Sequence, residues 1–133
     1  MNTLFKPTAI ALGLSVLFVH APGRAGEVIA HPALTLSADD VKEVFFGDKQ
    51  LAGSVKLVAI DNAAQQADFL AKVLQTDGTK YTARWTKKAF REGLAAPSVK
   101  GSDTETIAFV KATPGALGYV AGPSSGVKVL QKY

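Results

Sequence analysis

Apolar residues change their spacing several times along the chain, and each change marks an element. Glu27-Val28-Ile29-Ala30 is a short β-prone run that His31-Pro32 closes. Val41, Val44 and Phe45 then recur at i, i+3, i+4, the spacing of one helix face. Ser37 stands where an N-cap hydroxyl belongs, Asp39 and Asp40 suit the positive end of the helix dipole, and Gly47 suits a C-terminal stop. A helix over Ala38–Phe46 follows. Val55–Ile60 reads as a strand, and Asp61-Asn62 as the cap of a helix that runs to about Gln75 with Phe69, Val73 and Leu74 inward. Asp77-Gly78 is a turn. Lys80–Arg91 is a third helix, ended by Gly93 and Pro97, whose Tyr81, Trp85 and Phe90 are expected in the core. Ser102-x-x-Glu105 has capping-box spacing and opens a helix through Thr106–Lys111. Pro114-Gly115 is a turn, and Ala116–Val120 and Val127–Leu130 are the last strands.

The order β-α-β-α-α-α-β-β predicts an α/β fold, a sheet flanked by helices around one core. No internal repeat, linker or low-complexity segment interrupts it.

The first 25 residues stand apart. Lys6 precedes an apolar run, Thr8–Val19, and small residues follow up to Gly23-Arg24-Ala25. That is the layout of a secretory signal, and the run is too short to cross a hydrocarbon core of roughly 30 Å. Cleavage is expected after Ala25, since a cut after Ala21 would place Pro22 next to the scissile bond. The mature domain is then 26–133, periplasmic, with no integral membrane segment; with no Cys in the chain it is not a lipoprotein.

Charge changes the picture once the signal is removed. Lys6 and Arg24 leave with it and no acid does, so the net charge falls from +4 to +2. That excess makes no case for nucleic acid. Five cations do gather on the third helix, and Lys80, Arg84, Lys87 and Arg91 form a stripe at i, i+4, i+7, i+11. The stripe suits solvent, an acidic partner or an anionic lipid surface. The absence of Cys excludes disulfides, thiolate metal sites and thiol catalysis. His31 is the one His after Ala25, lies beside Pro32, and has no Gly-x-Ser-x-Gly elbow to serve. The expected protein is not an enzyme and takes no metal and no cofactor. Gly122-Pro123-Ser124-Ser125-Gly126 is a small-residue loop, read as a turn or an anion nest.

Three stretches resemble the phosphate-binding protein family of ABC importers. Leu36–Gly47 is similar to that family's "Leu-Ser, helix, Ile-Phe-x-Gly" segment, and Trp85–Gly93 to its "Trp…Phe…Gly" helix. Thr113–Val120 resembles its "Pro-Gly-Ala-Ile-Gly-Tyr-Val" return strand, with Leu117 for Ile. The resemblance implies one lobe of a type II periplasmic binding protein, with a mixed sheet flanked by helices. It also implies where a ligand would sit. The family holds phosphate with Arg-x-Asp-x-Ser-Gly-Thr at a strand-to-helix turn, where Arg supplies a charged fork and the hydroxyls and backbone N–H groups complete an anion nest. The corresponding stretch here is Ala59-Ile60-Asp61-Asn62-Ala63-Ala64-Gln65, which keeps Asp61 and also brings Phe69 into the family's Phe position. Ala59 replaces the Arg, Ala63 the Ser, Ala64 the Gly and Gln65 the Thr. Three bonds worth about 1–3 kcal/mol each are gone, on the order of a thousandfold or more in affinity. Candidate ligand residues are therefore Asp61, Asn62, Ala63 and Gln65, with plain capping as the competing role of Asp61 and Asn62.

Two classes of function follow. One is an exported solute-binding-like module for phosphate or another small oxyanion, working with an ABC-permease or as a homodimer that rebuilds a cleft across a two-fold. The other is an adaptor or accessory protein that keeps the lobe, has lost the ligand and contacts an envelope protein.

Overall fold

A computed structural model describes residues 26–133. The secretory-signal expectation for residues 1–25 lies outside that range. Among the described residues no helix is long and apolar enough to cross a membrane.

The elements are β1 (Glu27–Ala30), α1 (Ala38–Phe45), β2 (Leu51–Ala52), β3 (Val55–Lys56), β4 (Val58–Asn62), α2 (Gln66–Phe69), α3 (Gly78–Glu92), β5 (Ser98–Lys100), α4 (Asp103–Ala112), β6 (Ala116–Val120) and β7 (Lys128–Lys132). Five strands make one mixed sheet in the order β5-β4-β6-β1-β7. β4 is parallel to β5 and to β6, whereas β1 is antiparallel to β6 and β7. Helices make the connections among these parallel strands, α2 and α3 from β4 to β5 and α4 from β5 across β4 to β6.

Strand alternation assigns the two faces. Val28, Ala30, Leu117 and Tyr119 pack with Val41, Val44, Phe45, Phe69, Tyr81 and Trp85, which places α1, α2 and α3 on one side. Ile29, Ile60, Ala116 and Val120 pack with Val110 of α4 on the other. On the first face the Phe69 ring stacks on Tyr119 at 3.9 Å between centroids, and Phe45 meets Phe69 edge-on at 4.7 Å. Trp85 Nε1 donates to Phe45 O at 3.0 Å, so the buried indole has its partner.

The starts of α1 and α4 agree with the sequence, whereas Asp77-Gly78, expected as a turn, opens α3 two residues ahead of Lys80. Ser37 accepts from Asp40 N while Asp40 accepts from Ser37 N, a reciprocal capping box. Asp77 accepts from Lys80 N, and Ser102 from Glu105 N. Glu105 reaches back to Gly101 N at 2.9 Å.

Other expectations need correction. Val55–Ile60 is two strands: Val55–Lys56 pairs with Leu51–Ala52 as a hairpin, and the chain enters the main sheet at Val58. β5 had no sequence expectation, because three residues behind Pro97 are too few to show a period. Asp61 and Asn62 are the last residues of β4 and cap no helix; the next helix begins at Gln66, behind Gln65, without a side-chain cap. That helix continues as a π turn over Leu70–Leu74 and stops at Gln75 in the left-handed region, φ 53°. Phe90 is 91% exposed, because Tyr81 and Trp85 already define the inward face of α3 and Phe90 falls on the opposite side.

Gly115 shows why one turn residue is what it is. Its φ is +81°, and a Cβ there would run into the carbonyl of Lys56. That close approach joins the hairpin to the start of β6, and Gly115 O accepts from Val58 N at 2.9 Å.

Candidate functional site

In open α/β sheets ligands meet the crevice outside the carboxyl ends of parallel strands. Here that crevice is framed by the end of β4 and the turn Ala63–Gln65, the start of α4 after Gly101, and the residue after β6, Ala121. The four sequence candidates are all at or beside it. The structure places them in two different situations.

Asp61 points into the core face. It is 2% exposed and accepts from Tyr119 Oη at 2.9 Å and from Tyr81 Oη at 3.0 Å. No cation pairs with it among the described residues. Burial outweighs the two hydroxyl donors and pushes its carboxyl up to about 6. The same burial, with the carboxylate alongside, holds both tyrosines far above the ordinary phenol range.

Asn62 points to the other face and ties the crevice together. Its Nδ2 donates to Asp103 Oδ1 at 2.7 Å and to Tyr119 O at 3.0 Å, and its Oδ1 accepts from Ala64 N at 3.1 Å. Fully buried, it uses both amide hydrogens and its carbonyl.

The turn itself has its donors engaged. Ala63 N donates to Lys100 O, Ala64 N to the Asn62 side chain, and Gln65 N to Asn62 O at 3.0 Å. Across the crevice, Ala121 N donates to Asp103 Oδ2 at 3.1 Å, and Gly101 N to Glu105 Oε2. Two carboxylates of this chain thus sit where backbone N–H groups would otherwise meet an anion. Ala63 and Ala64 are exposed and bring no hydroxyl or charge.

The same substitution recurs in the loop after Gly122. Ser124 Oγ donates to Glu27 Oε2 at 2.6 Å, so that loop also serves an internal carboxylate. His31 Nδ1 accepts from Ala33 N in a local turn. No cluster of three or more His, Asp or Glu fit for a metal occurs among the described residues.

A larger cleft than the crevice lies elsewhere. It has a volume of 430 Å³ and runs from Lys49 and Lys56 past Val58 and Trp85 to Pro97. Ala63–Gln65 do not line it. A neighbouring groove of 320 Å³ between α3 and β5 reaches Asp61, with Tyr81, Trp85, Pro97 and Val99 as walls. Polar groups converge on the crevice from three elements. Asp103 is the residue there that sequence reasoning missed. Its signal was available: an acid immediately after the Ser102 cap, in the first turn of α4.

No protein-family model and no curated protein matches the sequence. Solved structures do match the fold. An ABC-type phosphate transport receptor from Vibrio cholerae superposes with a TM-score of 0.58 at 15% identity, covering 80% of this chain and 45% of the receptor. PstS from Borrelia burgdorferi superposes with a TM-score of 0.54 at 18% identity, covering 72% of this chain and 40% of the receptor. The fold matches a single lobe of a PstS-like periplasmic binding protein. The chain spans less than half the length of either receptor. At these identities the likeness establishes the lobe and leaves the ligand to the residues described above.

Proposed function

We propose that the protein is an exported solute-binding-like lobe of the phosphate-receptor type that has moved away from tight phosphate capture and meets oxyanions weakly at the Ala63–Gln65 turn. One observation carries this: the crevice at the carboxyl ends of β4 and β6 gives its backbone donors to Asp103, Glu105 and Asn62 of the same chain. An incoming phosphate would have to displace these bonds and face two carboxylates at close range. It would find alanine at positions 63 and 64 in place of a hydroxyl and a close-approach glycine, and Ala59, which stands in place of the guanidinium, lines the 430 Å³ cleft on the core face. The second lobe that encloses a ligand in two-lobed receptors is not supplied by these residues, and a permease component or a second copy is the partner that would supply that wall.

The same closure favours a second reading, an adaptor that keeps the lobe as a scaffold for an envelope protein. Calorimetry on the folded parent and on Ala59→Arg/Ala63→Ser/Gln65→Thr separates the two. A binding module gives weak phosphate heats in the parent and at least about tenfold tighter binding in the variant, because charged hydrogen bonds return. Tight binding by the parent contradicts the proposal. No heat from phosphate or sulfate in either folded protein contradicts it as well, and leaves the adaptor.

A further inference from the structure

The outer face of α3 has features that the crevice does not use. Phe90 is 91% exposed on a helix that already buries two aromatic rings on its other side. Lys87 and Arg91 flank it in sequence, and Lys80 continues the same exposed side about two turns before Lys87. None of these three cations has an acidic partner among the described residues. Arg84 and Lys88 do: both reach Asp48, at 3.0 and 2.7 Å, Lys88 also meets Glu92 at 3.0 Å, and Arg84 covers the Phe46 ring at 4.2 Å. These contacts anchor the helix and fix the direction of its basic side. Between the two sets runs a shallow groove of 320 Å³, lined by Arg84, Lys87, Lys88, Arg91 and Glu92. Five of the chain's cations are therefore gathered on one helix, and Lys80, Lys87 and Arg91 share its outer side with an apolar ring that stands clear of the protein.

We infer that this face docks the protein on an anionic bilayer surface, with Phe90 entering the headgroup–acyl boundary and Lys80, Lys87 and Arg91 meeting lipid phosphates. Charge complementarity and the exposed ring identify the occupant. A lone exposed aromatic needs no explanation and a cationic stripe alone suits solvent, but an interfacial helix combines an apolar wedge with flanking Lys and Arg. Each Lys or Arg near an anionic surface adds a comparable increment of attraction, and the effect fades within a Debye length. The inference does not depend on what the crevice binds, since α3 lies on the sheet face away from α4.

The test is sedimentation with vesicles. Protein purified after export, with its N-terminus read by mass spectrometry, is mixed with vesicles of phosphatidylglycerol and phosphatidylethanolamine, or of phosphatidylcholine alone. The expected result is partition into the anionic vesicles, weakened by added salt, and little into the zwitterionic ones. Lys87→Gln/Arg91→Gln lowers that partition about thirtyfold. Phe90→Ala lowers it about tenfold. Both variants alter exposed positions, and unchanged circular dichroism shows that they fold. Equal partition of parent and double variant overturns the inference, because another surface is then responsible. So does equal binding to both vesicle types. Failure of the parent to bind anionic vesicles overturns it too, and points instead to an acidic protein on this helix.

Discussion

The crevice at the end of β4 and the outer face of α3 both concentrate polar groups, but they treat them in opposite ways. In the crevice every named donor has a partner inside the chain: Asn62 binds Asp103 and the carbonyl of Tyr119, and Ala121 N and Gly101 N bind carboxylates. On α3, Lys80, Lys87 and Arg91 have no acidic partner among the described residues, and the ring of Phe90 is left in water. Buried polar groups must be satisfied, so a site that no longer takes its ligand is expected to satisfy itself. Exposed groups carry no such requirement, and their disposition reflects what they meet outside the molecule. The comparison separates a region that holds the fold from a region available for recognition.

The largest effect is expected where the crevice is cross-linked. Asn62→Ala removes three hydrogen bonds and leaves the carbonyl of Tyr119 and one oxygen of Asp103 without their partner. It should destabilise by about 3 kcal/mol, measured by urea unfolding. A loss below about 1 kcal/mol would mean that the crevice is held by packing and that its polar closure is incidental.

Asp61 gives a pH-dependent test of similar size. Its folded-state carboxyl titrates at about 6, above the ordinary value of 3.8, so the folded protein binds the proton more tightly than the unfolded chain. The ionised group therefore costs stability above pH 6, and that cost is relieved as pH falls from 6 towards 4. A shift of this size corresponds to about 3 kcal/mol. Asp40 and Asp48 are shifted the other way, Asp40 by the Ser37 backbone and hydroxyl and Asp48 by Lys88; their contributions are lost only below the ordinary carboxylate range. Of these three carboxylates only Asp61 responds in the window from pH 4 to 6. Stability should rise on acidification through it in the parent, and the rise should vanish in Asp61→Asn. A parent that loses stability steadily over that window would show that Asp61 is open to water in solution.

The smallest effects on stability belong to α3. Lys87→Gln/Arg91→Gln and Phe90→Ala should each change unfolding free energy by less than about 0.5 kcal/mol, since the side chains lie outside the packed core. A large loss in either would remove the contrast between the two regions.

Much of this architecture was legible in the sequence, and the exceptions have physical causes. The caps at Ser37 and Ser102 and the inward pair Tyr81 and Trp85 follow from local spacing and local hydrogen bonding. The return strand Ala116–Val120 was also visible, because its residues are fully buried on both sides. Asp61-Asn62 looked like a cap because Asp and Asn favour that role. Tertiary contacts decided otherwise, since Tyr81 and Tyr119 lie far away in sequence and claim the carboxylate. β5 was invisible because its pairing with β4, not its three residues, makes it a strand. Phe90 was expected inside on composition alone; the direction of α3 is set by which face Tyr81 and Trp85 occupy. In the candidate site, Ala63–Gln65 form a turn ahead of α2 and not the first turn of a helix capped by Asp61-Asn62, and the role of Asp103 in closing the crevice depends on a contact 41 residues distant from Asn62.

The central claim is that the lobe has given its crevice donors to its own side chains and no longer captures phosphate tightly. Thermal unfolding of the protein in millimolar phosphate, against sulfate and chloride at matched ionic strength, tests it most directly. A ligand at one hundred times its dissociation constant adds about 2.7 kcal/mol, which raises the midpoint of a domain of this size by roughly ten degrees. The account predicts midpoints that differ by no more than about two degrees among the three salts, the shift of a weak site near half saturation. A rise of roughly ten degrees in phosphate alone would contradict it, and would show that the bonds of Asn62, Asp103 and Glu105 open to admit the anion.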